Sequence, residues 1–133
     1  MRLFYYPCNT SMAPHFVLEE IGKPFELALV ARTRDQHKSP EYLALNPNEL
    51  IPVLVDGDLV LYETDAICLH LADTHPARRL APALGAPERA RFYTWLMWLG
   101  KRGGNGTQGL RSIGGSYGIG RRVDRNEAGS FGP

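Results

Sequence analysis

At 133 residues the chain has room for one compact domain, or one domain with an appendage, and not for a multidomain assembly. Its 44% hydrophobic and 22% charged residues exclude a collagenous chain and one disordered throughout. A net charge of +1 excludes a surface built wholly for nucleic acid or anionic lipid, although the average conceals a split: residues 1–99 carry nine Lys and Arg against twelve Asp and Glu, and residues 100–133 carry six against two.

Arg2 to Tyr6 is a β-prone run, broken by the turn residues Pro7-Cys8-Asn9-Thr10. Thr10 or Ser11 can cap the helix that follows, with Pro14 in its first turn and Phe16, Val17, Leu18 and Ile21 as apolar positions up to Gly22. Phe25 to Val30 reads as a second strand, and a helix between two such strands predicts a right-handed βαβ unit with a parallel pair. Arg32 to Lys38 is a polar loop. Ser39-Pro40-Glu41 opens a short helix that ends near Asn46-Pro47.

Pro52 to Val55, Asp56-Gly57-Asp58 and Leu59 to Leu61 form a hairpin, because Asp-Gly supplies the positive φ that tight turns need. Thr64 caps a helix with Ala66, Ile67, Leu69 and Leu71 on its apolar face, closed by Pro76. Pro87 and Glu88 open a last helix, with Phe92, Trp95, Leu96 and Leu99 at helical spacing. The order is thus β-α-β-α-β-β-α, an α/β class, plus one C-terminal helix.

From Gly100 the periodicity stops. Eleven of the fourteen glycines lie there, with only seven aliphatic or aromatic residues among thirty-four, which predicts a disordered Gly/Arg-rich tail. Gly104 to Gly109 matches G-x-G-x-x-G, but without a preceding strand or a following amphipathic helix it is no dinucleotide fingerprint. The tail's cations lack interleaved aromatics beyond Tyr117 and Phe131, which argues against nucleic acid as a partner. Two cysteines are too few for a disulfide scaffold, Met1 to Glu20 lacks a secretory apolar core, and no run is long enough to cross a membrane. The expectation is a soluble cytoplasmic protein. His70 and His75, five apart, share no helical face, and with no other ligand cluster no metal is expected.

Several segments resemble the N-terminal domain of cytosolic glutathione S-transferases, in particular bacterial beta-like members. They are Met1-Arg2-Leu3-Phe4-Tyr5, Ser11-Met12-Ala13-Pro14-His15, Asn46-Pro47, Ile51-Pro52-Val53-Leu54 and Leu61-Tyr62-Glu63-Thr64-Asp65-Ala66-Ile67. The resemblance covers residues 1 to about 99 and implies a thioredoxin-like fold with a mixed four-stranded sheet. It divides the chain into a glutathione S-transferase N-terminal domain at 1–80, a linker and first helix of an incomplete helical domain at 81–99, and the tail at 100–133. Family members continue into a helical domain of roughly a hundred residues or more. The change at Gly100 therefore reads as a truncated or frame-shifted C-terminus.

The resemblance implies glutathione as co-substrate, a small electrophile as second substrate, and the homodimer typical of the family. Glutathione chemistry needs a thiolate, whereas an ordinary cysteine thiol has a pKa of about 8.5. Donors at a helix N-terminus stabilise the anion, and Cys8, Thr10 and Ser11 sit at such a terminus as the catalytic candidates. Beta-like members carry a cysteine where this chain has Thr10, and omega-like members carry one at the position of Cys8. A hydroxyl of Thr10 or Ser11 predicts conjugation, whereas a reactive Cys8 predicts glutathione-dependent thiol–disulfide exchange. A third reading is a glutathione-binding remnant without turnover. The plainer roles stay open beside these: packing for Cys8 and capping for Thr10 and Ser11.

For binding, the resemblance implies a cis Ile51-Pro52 bond that presents the Ile51 backbone to the cysteinyl part of glutathione. Pro52 could equally be a strand-initiating proline. Thr64 suits the γ-glutamyl carboxylate and Glu63 its ammonium, with helix capping as the alternative. Lys38 or His37 reaches the glycyl carboxylate, unless solvated. Leu50, with Glu49, stands where relatives have a polar residue and a glycine, and shapes the rim. Cys68, Trp95 and Trp98 read as packing.

Overall fold

The computed structural model describes residues 1–103, and the expected disordered tail and its glycine motif, residues 104–133, lie outside the described residues. Strand β1 (Arg2–Tyr5) leads through the Pro7–Ser11 loop to helix α1 (Met12–Ile21), and β2 (Glu26–Leu29) follows. Two 3-10 turns, Arg32–Arg34 and Gln36–Lys38, occupy the expected polar loop, before the short helix α2 (Pro40–Leu43). The hairpin is β3 (Val53–Asp56) and β4 (Leu59–Tyr62), and helices α3 (Thr64–Thr74) and α4 (Pro87–Gly103) complete the described chain.

The sheet order is β2-β1-β3-β4, with β1 parallel to β2 and antiparallel to β3, so the expected βαβ unit and mixed sheet are both present. Alternation along the strands sorts the core into two layers. On one face Leu3 and Leu54 pack with Leu18 and Ile21 of α1 and Ile67 and Leu71 of α3. On the other, Val53 packs with Val30 and Tyr42 of α2, flanked by Phe4 and Ile51. The corner ahead of β3 is thereby held, through Ile51, against the second layer.

Local chemistry explains the boundaries. Gly22 ends α1 in the left-handed region at φ 70°, its N–H donating to Leu18 O at 3.1 Å. Ser39 caps α2, its Oγ accepting the Tyr42 N–H at 3.3 Å, with Pro40 in the first position. Asp56 pairs with Leu59, so the hairpin loop is the two residues Gly57-Asp58, and Gly57 at φ 61° meets the turn's demand.

Four sequence expectations are corrected. Thr10 and Ser11 do not cap α1 through their hydroxyls. The Asn9 carboxamide instead accepts the Ser11 N–H at 2.8 Å, because an Asx turn there brings its oxygen to the helix start. Thr64 is the first residue of α3 and not its cap, since the Ile67 N–H donates to Glu63 O at 3.0 Å and Glu63 leaves the helical region at φ 71°. Phe16 is 55% exposed and Ala66 is exposed, the inward faces being Pro14, Leu18 and Ile21 on α1 and Thr64, Ile67, Cys68, Leu71 and Ala72 on α3. Helix α4 runs to Gly103, taking in four residues assigned from the sequence to the tail.

Candidate functional site

A cleft of about 440 Å³ opens where the β1–α1 loop, the corner ahead of β3, the start of α3 and α4 meet. Its lining includes Asn9, Thr10, Arg32, Glu49, Leu50, Ile51, Pro52, Glu63, Thr64 and Asp65, closed on one side by Met97 and Gly100. The Ile51–Pro52 peptide is cis. Of the residues singled out from the sequence, Thr10, Leu50, Ile51, Pro52, Glu63 and Thr64 are brought together here.

Each is positioned by an identifiable contact. Thr10 Oγ1 donates to the Ile51 carbonyl oxygen at 3.1 Å, tying the β1–α1 loop to the corner. The Leu50 carbonyl accepts twice, from Tyr42 Oη at 2.7 Å and from Asn46 Nδ2 at 2.9 Å. Asn46 is 1% exposed, and its Oδ1 also accepts the Asn48 N–H at 3.0 Å. It therefore acts as a built-in strut for the 47–51 segment. Burial pushes the Tyr42 phenol far above its usual pKa, so it stays a donor.

Four other candidates lie elsewhere. Ser11 is 1% exposed, and its Oγ accepts the Tyr6 N–H at 3.2 Å while lying 3.0 Å from Tyr6 O and 2.5 Å from Asn9 Oδ1. That hydroxyl holds the loop together from beneath. Cys8 is exposed at φ 59° and does not line the cleft. Lys38 pairs with Asp35 at 3.1 Å, and neither it nor His37 lines the cleft. Among the described residues the cation on the lining is Arg32, whose guanidinium lies 5.9 Å from the Tyr6 ring centre.

The sequence reading also missed Asp65, Met97 and Gly100. Burial first, then the charge of Glu63, raises the Asp65 carboxyl above its ordinary pKa, and a hydrogen bond from the Gly100 backbone partly offsets this. A Cβ at Gly100 would collide with that carboxylate, so a larger residue where α4 meets the start of α3 requires the Asp65 side chain to turn away. The lost periodicity at Gly100 thus marks a close approach rather than the end of the helix.

The two thiols differ sharply. Cys68 is buried on α3, and desolvation, helped by the Asp65 charge, pushes it up to about 12. At mildly alkaline pH a disulfide thiol reagent is expected to modify Cys8 rapidly and Cys68 only after unfolding; two equally fast thiols in the folded chain would contradict this. Because the folded state holds the Cys68 proton more tightly than the unfolded state, its contribution to stability is retained below the ordinary thiol pKa. That contribution falls as pH rises from there toward about 12.

The strand order, the βαβ entry and a cis-proline corner beside the start of α1 define a thioredoxin-like domain. A family model for the glutathione S-transferase N-terminal domain matches residues 7–74. Glutathione S-transferase GstA of Escherichia coli O157:H7 is 35% identical over 101 residues, 74% of this chain and 50% of that protein. Glutathione S-transferase GST-4.5 of Xanthomonas campestris is 38% identical over 100 residues, 74% of this chain and 48% of that one. A sphingomonad glutathione S-transferase solved in complex with glutathione superposes with a TM-score of 0.68 at 38% identity, covering 77% of this chain and 52% of that chain. The Phanerochaete chrysosporium transferase URE2P8, solved with oxidized glutathione, gives 0.72 at 30% identity, covering 78% and 49%. The chain belongs to the glutathione S-transferase family and carries its N-terminal domain. It spans about half the length of the curated relatives it matches.

Proposed function

We propose that this chain binds glutathione in the cleft and serves glutathione transfer, holding the tripeptide so that its thiol ionises and attacks an electrophile. One observation carries the reading: groups complementary to each part of glutathione converge on a single cleft. Glu63 takes the γ-glutamyl ammonium, and Thr64, with the start of α3, takes its carboxylate. The Ile51 backbone pairs with the cysteinyl amide, and the Thr10 hydroxyl lies beside the sulfur. Arg32, rather than Lys38 or His37, takes the glycyl carboxylate. The relatives solved with glutathione or oxidized glutathione support the same choice of ligand.

The thiol proton passes to solvent, the thiolate sulfur forms a bond to the electrophilic carbon, and the displaced group departs with the bonding pair. The protein contributes position and thiolate stabilisation. Transfer is favoured over thiol–disulfide exchange because Thr10 lines the cleft and Cys8 does not. Residues 1–80 form the glutathione domain in this reading, with 81–99 beginning a second, helical unit. A homodimer is part of it, covering the open edge of β4 where Leu59, Val60 and Tyr62 are exposed. So is a cytoplasmic location, where unpaired thiols such as Cys8 and Cys68 persist.

Calorimetric titration of the 133-residue chain with glutathione, followed by a conjugation assay with a chloronitrobenzene, tests the reading. One-to-one binding with product formation is expected. Binding without product would make the chain a glutathione-binding module, and a folded chain that gives no heat would overturn the reading. Arg32→Ala should weaken glutathione about tenfold but leave the glycyl ethyl ester unaffected. If Lys38→Ala produces that pattern instead, the glycyl end lies on the Lys38 side.

A further inference from the structure

Arg89, in the first turn of α4, is buried although it lies outside the cleft and takes no part in the proposed chemistry. Its Nη2 donates to both carboxylate oxygens of Asp73, in the last turn of α3, at 2.8 and 3.0 Å, and its Nη1 donates to the Pro82 carbonyl oxygen at 2.8 Å. The Phe92 and Tyr93 rings, one turn further along α4, lie 5.2 and 5.0 Å from the guanidinium carbon. One cation thus joins the end of α3, the connecting segment and the start of α4. At the far end of the contact the Asp65 carboxylate, in the first turn of α3, stands against Gly100. The two helices therefore run antiparallel and are fastened at both ends. Between the fastenings Leu96 is buried, and beside it Met97 lines the cleft together with Gly100. Resting on the assignment of the cleft to glutathione, we propose that Arg89 is a positioning residue for that site: its pairing with Asp73 and Pro82 sets the angle of α4 across α3, and so the place of the Met97–Gly100 wall against the bound tripeptide.

The argument is one of leverage and direction. An α-helix rises 1.5 Å per residue, so about 16 Å separates Arg89 from Gly100, and a tilt of about ten degrees at one end displaces the other by about 3 Å. Misplacement by even about 1 Å at a binding or reacting group can lower a rate by about a hundredfold. Apolar packing would hold α4 on α3 as firmly, because burying a guanidinium forfeits its hydration, and the buried Nε finds no partner among the described residues. What the charge pair adds is orientation. A planar fork that meets Asp73 and Pro82 at once admits few helix angles, whereas a contact between aliphatic side chains admits many. The far fastening, Asp65 against Gly100, brings no opposite charge to the carboxylate and follows the helix where Arg89 sets it.

The test uses the full chain with its three methionines labelled with methyl-13C, the Met97 signal being assigned through Met97→Leu. Wild type and Arg89→Leu are compared at a temperature where circular dichroism shows both folded. Glutathione should shift the Met97 signal of the wild type. In Arg89→Leu that signal should already have moved before ligand is added, and calorimetry should find glutathione bound about tenfold more weakly. The signals of Met1, packed on the first core layer, and Met12, at the start of α1, should stay in place, a selectivity that general loosening of the fold does not produce. If Arg89→Leu does not fold, Asp73→Asn, which leaves the Pro82 contact intact, gives the same reading with a loss of about threefold. An unmoved Met97 signal, an equal movement of all three, or an undiminished affinity in the folded variant overturns the positioning role, however far the thermal midpoint falls, and leaves the glutathione assignment standing. A wild-type chain that does not bind glutathione removes that assignment and the proposal with it.

Discussion

Replacing Glu63 and Thr64 together by alanine is expected to weaken glutathione binding by at least about a hundredfold, with the chain still folded. Both residues stand at the start of α3 and line the cleft, and neither supplies a side-chain cap to that helix. Their polar groups are therefore free to act on a ligand. Glu63 in particular occupies a backbone region unfavourable to any residue with a Cβ, at φ 71° and ψ 121°. Such strain costs about 1–3 kcal/mol and persists where the side chain serves another purpose. Glu63→Gly should then raise the thermal midpoint while lowering affinity, a divergence that a merely structural role for Glu63 does not produce. Calorimetry for binding and circular dichroism for stability separate the two effects. Undiminished binding in the double variant would place the γ-glutamyl end elsewhere.

Much of the fold was legible because its boundaries are made by local chemistry. Gly22, Ser39-Pro40 and the Gly57 turn act through their own backbone preferences, so their meaning survives without tertiary context. The corner and the start of α3 could be read from the family resemblance for the same reason: the residues that matter are contiguous. What escaped the sequence depends on approach between distant segments. Gly100 looks like the onset of a glycine-rich tail until α4 is seen crossing Asp65. Arg32 and Lys38 are equivalent as loop cations, and only the two 3-10 turns put the first on the cleft and the second against Asp35. The adjacent hydroxyls of Thr10 and Ser11 likewise cannot be told apart by type. Burial beneath the β1–α1 loop takes one out of the site and leaves the other in it.

Asn46 is the position where fold and site are most tightly coupled. Asn46→Ala is expected to destabilise the chain by about 2–3 kcal/mol, because it empties a buried position, takes away the partner of the Asn48 N–H and removes one of two donors to the Leu50 carbonyl. Tyr42→Phe keeps the ring packed against the Val30 and Val53 cluster and deletes only the other donor, so its cost should be nearer about 1 kcal/mol. Both should also weaken glutathione binding, for a geometric reason. The Leu50–Ile51 peptide is trans, so holding the Leu50 carbonyl inward on Tyr42 and Asn46 directs the Ile51 N–H to the opposite side, that of the cleft. Releasing that carbonyl lets the peptide plane rotate, and the N–H that the proposed reading pairs with the cysteinyl carbonyl loses its aim. Urea unfolding and glutathione titration of the two variants check this jointly. Affinity should fall in the same order as stability, Asn46→Ala below Tyr42→Phe, even at temperatures where both remain fully folded. Full affinity in a destabilised Asn46→Ala chain would instead show that the Leu50 anchor supports the fold alone.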